Sequence, residues 1–470
     1  MSSQTQSEPL LYAELLPNIR QITLYVSCSG SSSIRQGPNI SNPSADRSSS
    51  KLPLSLSASR RTVSLPVPNG VRTLHLPAPV SESAHAILAT PPASTQPSAK
   101  DNEMLFRLPA EVGITSLGPS GSFPGQASPD NNGVQVPWTA KDMCSETRVR
   151  CRQCKNMFFS PPKNGETLWK DLPSADWAEM MDLWHCHKPD APDDSHDDAT
   201  NGNSHQPHDE NEVVKGYGAA NRVVCVPGTI LIDVLSFVIA EGDCQGLKRL
   251  ENSPASSTAP SLSKQDQTDK SKARPVVILS CSRCDVTVGE EHPSLSGLRL
   301  YKANVSVLRN PASDTDPEDG LWETHPVDMI VGTQLLELVE RVGARRFAVH
   351  SPEYEGIDSR DSKSGLLLWV FNPDLRYSSE GSGASPDEKI SITSQRAMKI
   401  FYQEVPDIQL MLNPPQGAPS PAALEDLGLP ANIYDSMKRQ LEESSHILPV
   451  SARQFREWRV GLFSRFEAGG

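Results

Sequence analysis

The stretch "RPVVILSCSRCDVTVGE", Arg274–Glu290, decides more of the fold than any other part of the chain. Its first half is apolar and β-branched, the composition of a buried strand. It runs into Cys281-Ser-Arg-Cys284, a Cys-x-x-Cys turn, with Gly289 close behind. A two-residue gap lets one turn deliver two thiolates to adjacent corners of a tetrahedron, the arrangement zinc requires. A second pair, Cys151 and Cys154, sits in "RVRCRQCKNMFF", Arg148–Phe159. The pairs are too far apart for a local finger, so the fold has to bring them together. The expectation is one closed, structural zinc site of Cys151, Cys154, Cys281 and Cys284. Other readings stay open at this point. Cys186 or His187 could complete one pair and leave the other empty; the pairs could be redox-active, although neither precedes a thioredoxin-like helix; or the thiols could pack as small apolar groups.

Between the two pairs lies "LPSADWAEMMDLWHCHKPD", Leu172–Asp190. Trp177, Met180, Met181 and Trp184 recur at i, i+3, i+4 and i+7, which lines one face of a helix. Ser174 is the candidate N-cap, and Asp176 and Glu179 suit the positive helix start. The spacing predicts a helix over Ala175–Trp184. Beyond its end, Trp184, Cys186 and His187 form a tip beside an acidic, His-rich linker, Asp190–Glu212. Metal binding by the linker's His196, His205 and His208 is the weaker reading of that stretch, and a solvated linker the stronger. The apolar window "VVCVPGTILIDVLSFVIA", Val223–Ala240, is broken by Pro227, Gly228 and Asp233, so it reads as buried core and not as a membrane span. Cys225 and Cys244 flank it and are expected to be core.

The flanking blocks have different characters. Residues 1–140 are β-rich, with short runs such as "ITLYVSC", "RTVSLPVP", "VRTLHLP" and "MLFRLPA". Residues 141–310 hold the cysteine pairs. Residues 311–470 read as α+β. There "VDMIVGTQLLELVERVG" predicts a helix capped by Gly343, "RRFAVHS" and "GLLLWVFNP" predict strands, and "NIYDSMKRQLEESS" and "ARQFREWRVGLFSRF" predict amphipathic helices. The fold class is therefore α+β. Ser-, Pro- or acid-rich inserts (29–51, 90–102, 118–132, 190–212 and 252–272) are expected to be disordered, since they hold too little apolar surface to offset the entropy of ordering.

Composition narrows the function. The 470-residue chain has 41 prolines, 6% aromatic residues and a net charge of −13, with a mean hydropathy of −0.42. Such acidity disfavours direct nucleic-acid binding, which relies on clustered Lys and Arg. The N-terminus lacks the basic and apolar regions of a secretion signal. The expectation is a soluble protein of the cytoplasm and nucleus with no membrane attachment, whose nine cysteines meet a reducing milieu. No phosphate-cradling loop, dinucleotide fingerprint or His-Glu-x-x-His pair is present.

The ordered series "CRQCKNMFF", "LPSADWAEMMDLWHCH", "LSCSRCDVTVGE", "LYKANVSV", "LLLWVFNPDLRYSS" and "AMKIFYQEV" resembles the HECT-like, E2-binding ubiquitin ligase family. The resemblance spans the ordered blocks from about Leu11 to Phe466. It implies a HECT-like C-terminal part, an E2 ubiquitin-conjugating enzyme and ubiquitin as partners, and promotion of ubiquitin transfer to substrate lysines. A HECT mechanism needs a C-terminal cysteine that takes ubiquitin as a thioester. Here no cysteine follows Cys284. Any covalent step would fall to an earlier thiol, and Cys186, between two histidines, is the candidate catalytic residue. The favoured role of Trp184, Cys186 and His187 is instead to face a partner. The family's link to pre-mRNA 3′-end processing implies an alternative function, in which this tip enters the active site of a metal-dependent endonuclease and restrains it.

Overall fold

The computed structural model describes residues 10–27, 54–67, 70–90, 103–111, 134–162, 166–172, 225–250, 277–292, 297–310, 320–352, 364–379, 394–415 and 424–467. The helix expected over Ala175–Trp184, the Trp184–Cys186–His187 tip, Cys28 and the acidic linker lie outside these residues. The chain divides into two compact units, named by their order in the sequence alone: an inner unit, residues 136–326, and an outer unit, residues 1–135 together with 327–470. Both are rich in strands, and the whole is mixed α+β.

The outer unit is built on a nine-stranded sheet. Its centre is the 15-residue strand Gly365–Ser379. On one edge this strand pairs with Gln395–Val405 along its length, with register shifts between Val370 and Asn372 and between Asn372 and Leu375. Pro373 sits in that irregular stretch, where its missing N–H costs least. On the other edge the first half pairs with Arg346–His350 and the second half with Leu10–Leu16. The N-terminal hairpin of Leu10–Leu16 and Gln21–Ser27 then continues to Glu103–Pro109. The first and last blocks of the sequence thus share one sheet.

Strand alternation assigns the faces. Leu11, Ala13 and Leu15 point toward a small three-stranded sheet, Ser55–Leu56, Thr62–Val67 and Gly70–His75, and toward the helix Ala84–Ala89, closing one core. Tyr12 enters a second core with Leu375, Tyr377, Phe401, Trp458 and Val460. The next residue on that face, Glu14, is buried and accepts hydrogen bonds from Lys399 Nζ (2.6 Å) and Tyr12 Oη (3.2 Å).

Four C-terminal expectations hold. Val327–Val342 and Ala431–Ser445 are helices, and Gly343 ends the first with φ +74°. Arg346–His350 and Gly365–Ser379 are strands. One expectation fails: residues 452–466 form no helix but the hairpin Gln454–Phe455 and Trp458–Ser464. Phe455, Trp458 and Leu462 fall at helical spacing, but Trp458, Val460 and Leu462 also alternate. The sheet decides between the patterns, because Trp458–Ser464 is buried on both faces between the Gln395–Val405 strand and the C-terminal helix. A Cβ at Gly461 would lie 2.8 Å from the Leu441 carbonyl, so the strand approaches that helix as only glycine allows.

The inner unit carries a seven-stranded sheet and a three-stranded one. The expected core window supplies two neighbouring strands, Thr229–Ile232 and Ser236–Ile239, nearly all buried. Trp138, Phe158, Phe159, Trp169 and Phe237 fill the core between the cysteine turns and this sheet. Among the described residues no helix is long and apolar enough to cross a membrane.

Candidate metal centre

Each cysteine pair sits at the tip of a hairpin, and the two tips are built alike. Cys151 ends the strand Arg148–Cys151, and Cys281 ends Ile278–Cys281. The N–H of Cys151 bonds the Asn156 carbonyl (2.7 Å), and that of Cys281 bonds the Val286 carbonyl (2.9 Å). Lys155 N–H returns to the Cys151 carbonyl and Asp285 N–H to the Cys281 carbonyl, both at 3.0 Å. Lys155 and Asp285 hold left-handed φ values of +63° and +61°, which turn the chain back on itself. Asp tolerates this conformation; for Lys it is strained, and the closed turn around the thiols holds it.

The tips face each other. Cys151 Sγ lies 3.7 Å from Cys284 Sγ, and Cys154 Sγ lies 3.4 Å from Cys281 Sγ. All four sulfurs fall within 4.8 Å of one another. Zinc–sulfur bonds of about 2.3 Å in a tetrahedron put the sulfurs about 3.8 Å apart, so the cluster has the size of the ion's first shell. Backbone N–H groups of Gln153 and Cys154 point at Cys151, those of Arg283 and Cys284 at Cys281, and that of Val286 at Cys284. Such donors favour thiolate over thiol. Burial works against ionisation of Cys281, yet the Arg283 and Cys284 amides, with Cys154 and Asn156, bring it down to about 7. Burial pushes Cys151 up to about 12, so a cation is what allows all four to ionise together. Four soft donors, a tetrahedral footprint and amides aimed at sulfur are consistent with a structural zinc site. Four thiolates leave no open position for a substrate, so zinc here would hold the two hairpins and take no part in bond making.

Two supporting residues are not legible as such in the sequence. Asn156 Nδ2 donates to the Gly246 carbonyl (2.9 Å) and contacts Cys281 Sγ at 3.5 Å, tying one turn to the other. Gly246 has φ +67°, and a Cβ there would stand 2.5 Å from Asn156 Nδ2. The only signal was the position of Asn156 two residues after Cys154; nothing in the sequence pointed to Gly246. Lys302, in "LYKANVSV", is fully buried, donates to the Pro137 carbonyl (2.8 Å) and lies 5.4 Å from the Phe237 ring. Burial pushes its amine down to about 7.

The remaining described cysteines are committed to packing. Cys144 Sγ bonds the Arg309 carbonyl at 2.9 Å. Burial and the nearby Asp243 carboxylate push Cys225 up to about 11 and Cys244 up to about 12. A thiol raised this far is a poor nucleophile at neutral pH.

The family model described as HECT-like ubiquitin-conjugating enzyme (E2)-binding matches residues 14–460. The chain belongs to this family. It is similar to an uncharacterized protein of Schizosaccharomyces pombe, 26% identical over 340 residues that cover 71% of this chain and 78% of the relative. It is also similar to an uncharacterized protein of Saccharomyces cerevisiae, 21% identical over 330 residues that cover 70% and 72%. No solved structure matches it.

Proposed function

We propose that this chain is an E2-binding adaptor of ubiquitin transfer, which presents a ubiquitin-charged E2 to protein substrates without carrying ubiquitin itself. One observation supports the adaptor role over a thioester ligase: every described cysteine is either in the four-thiol cluster or held in packing. With no cysteine after Cys284, a HECT-type acceptor thiol is missing from the C-terminal part. The reading places the chain in the cytoplasm and nucleus, where reducing conditions keep four thiols available as ligands.

The test mixes full-length protein with E1, charged E2 and ubiquitin, and resolves the products on non-reducing gels. The adaptor reading expects faster discharge of the E2 and no ubiquitin adduct on this chain that reducing agent removes. An adduct present in wild type and lost in Cys186→Ala would replace the adaptor with a covalent ligase. The endonuclease-restraining alternative rests on Trp184, Cys186 and His187, which lie outside the described residues. It takes precedence if E2 discharge is unaffected while Cys186→Ala abolishes binding to a 3′-end-processing nuclease subunit.

A further inference from the structure

In the outer unit the two long helices, Val327–Val342 and Ala431–Ser445, lie on one face of the nine-stranded sheet: Leu441 meets Gly461, and Gly332 meets Phe463. Residues of opposite parity, among them Leu367, Phe401, Trp458 and Val460, form the other face. Ile447, Leu448 and Ala452, and Met411 from the short helix Ile408–Leu412, pack over part of it. Toward the edge this cover ends, and an aromatic strip reaches the surface, with Phe371 48% and Phe455 45% exposed. Phe371 stacks on Phe401 at 4.6 Å and Phe401 on Phe455 at 5.3 Å, while Trp369 meets Phe371 edge-on at 5.7 Å.

An arginine stands at each end of the strip. The Arg346 guanidinium lies 5.5 Å from the Trp369 ring and the Arg456 guanidinium 5.6 Å from Phe455. Among the described residues neither has a carboxylate partner, in a chain whose net charge is −13. Arg456 also sits in the two-residue turn between paired Phe455 and Trp458, with φ +54°. Glycine, asparagine or aspartate is the usual occupant of such a position. A long cationic side chain is kept there against the preference of the backbone, at the point where it brackets the strip.

We propose that the strip Trp369–Phe371–Phe401–Phe455, bracketed by Arg346 and Arg456, is the surface on which the E2 enzyme docks, through apolar side chains flanked by carboxylates. The proposal rests on the E2-binding reading above and adds the place and chemistry of contact. Aromatic residues and arginine are the types that dominate protein–protein hot spots. Two guanidinium groups with no carboxylate partner among the described residues suit acidic residues on the partner. Single-stranded nucleic acid is a worse fit. Bases need free ring faces, whereas stacking takes both faces of Phe401 and one each of Phe371 and Phe455, and Arg456 lies over Phe455. The ring edges left, with their positive rims, suit carboxylates and carbonyls.

The experiment measures binding of the full-length protein to a panel of purified E2 enzymes, each tested singly by biolayer interferometry. Phe371→Ser/Phe455→Ser should weaken binding of the E2 that wild type captures about tenfold or more. Arg456→Gly should weaken it several-fold while the melting temperature stays level or rises, because glycine relieves the turn. A merely structural arginine would give the opposite stability result, so this variant decides the matter even if the double variant folds poorly. Unchanged affinity in both variants overturns the docking surface and leaves E2 binding standing. Absence of any E2 binding by wild type overturns both. Loss of affinity for a single-stranded RNA oligonucleotide, with E2 affinity intact, overturns the proposal in favour of a nucleic-acid surface.

Discussion

The two units solve the same problem by different means. The inner unit draws two distant hairpins together through four thiols, so much of its cohesion depends on a single point. The outer unit has no such point; its N-terminal and C-terminal strands are joined by a continuous ladder through Gly365–Ser379. Damage should therefore be all-or-none in one unit and graded in the other.

The largest effect should come from removing the metal. Cys281→Ser/Cys284→Ser, or treatment with a strong chelator, should remove about one zinc per chain and open residues 136–326 to proteolysis, while the outer unit keeps its protection. Structural zinc supplies about 10–16 kcal/mol of apparent binding free energy in small zinc domains, as much as the whole net stability of an ordinary domain. Metal analysis with mass-mapped limited proteolysis checks both halves of the expectation. Unchanged zinc in the double variant would refute the shared site.

The outer unit should respond more mildly. Lys399→Met leaves the buried Glu14 carboxylate without its cation, at a cost of about 3–5 kcal/mol. Replacing both residues, Lys399→Met with Glu14→Leu, should recover much of that, because no lone buried charge remains. Urea unfolding followed through outer-unit fluorescence measures the difference. If the single variant is as stable as wild type, the pair contributes nothing to joining the N-terminal hairpin to the C-terminal sheet.

The smallest effect sharpens the comparison from the inner side. Lys302 titrates at about 7 in the folded unit and at 10.5 when exposed. Between those values the unfolded chain holds a proton that the folded chain lacks, so stability rises with pH across that window. The slope should reach about 1.4 kcal/mol per pH unit, and Lys302→Met should flatten it relative to wild type. Equal slopes in the two proteins would show that Lys302 stays charged inside.

Local features were legible in the sequence and distant ones were not. Both cysteine turns could be read because a two-residue gap is itself a geometric statement, and Ala431–Ser445 because its apolar residues keep one period over four turns. The segment from Gln454 to Ser464 fits two periods at once, and only the strand beside it selects between them. The pairing of Leu15 with Arg376 leaves no local mark, since register between such remote strands is set by the assembled core. Gly246 and Lys302 were missed for a related reason. Each answers to a neighbour remote in sequence, Asn156 in one case and the Pro137 carbonyl in the other.

The split pairing of Gly365–Ser379 also sets a timetable for synthesis. Glu14 waits for a partner 385 positions further along the chain, roughly 20–80 s at ordinary elongation rates. The inner unit, drawn from one continuous run of residues, can close and take up its metal during that interval. The N-terminal strands meanwhile lack the strand they pair with, so the topology predicts a slow, late folding step in the nascent chain.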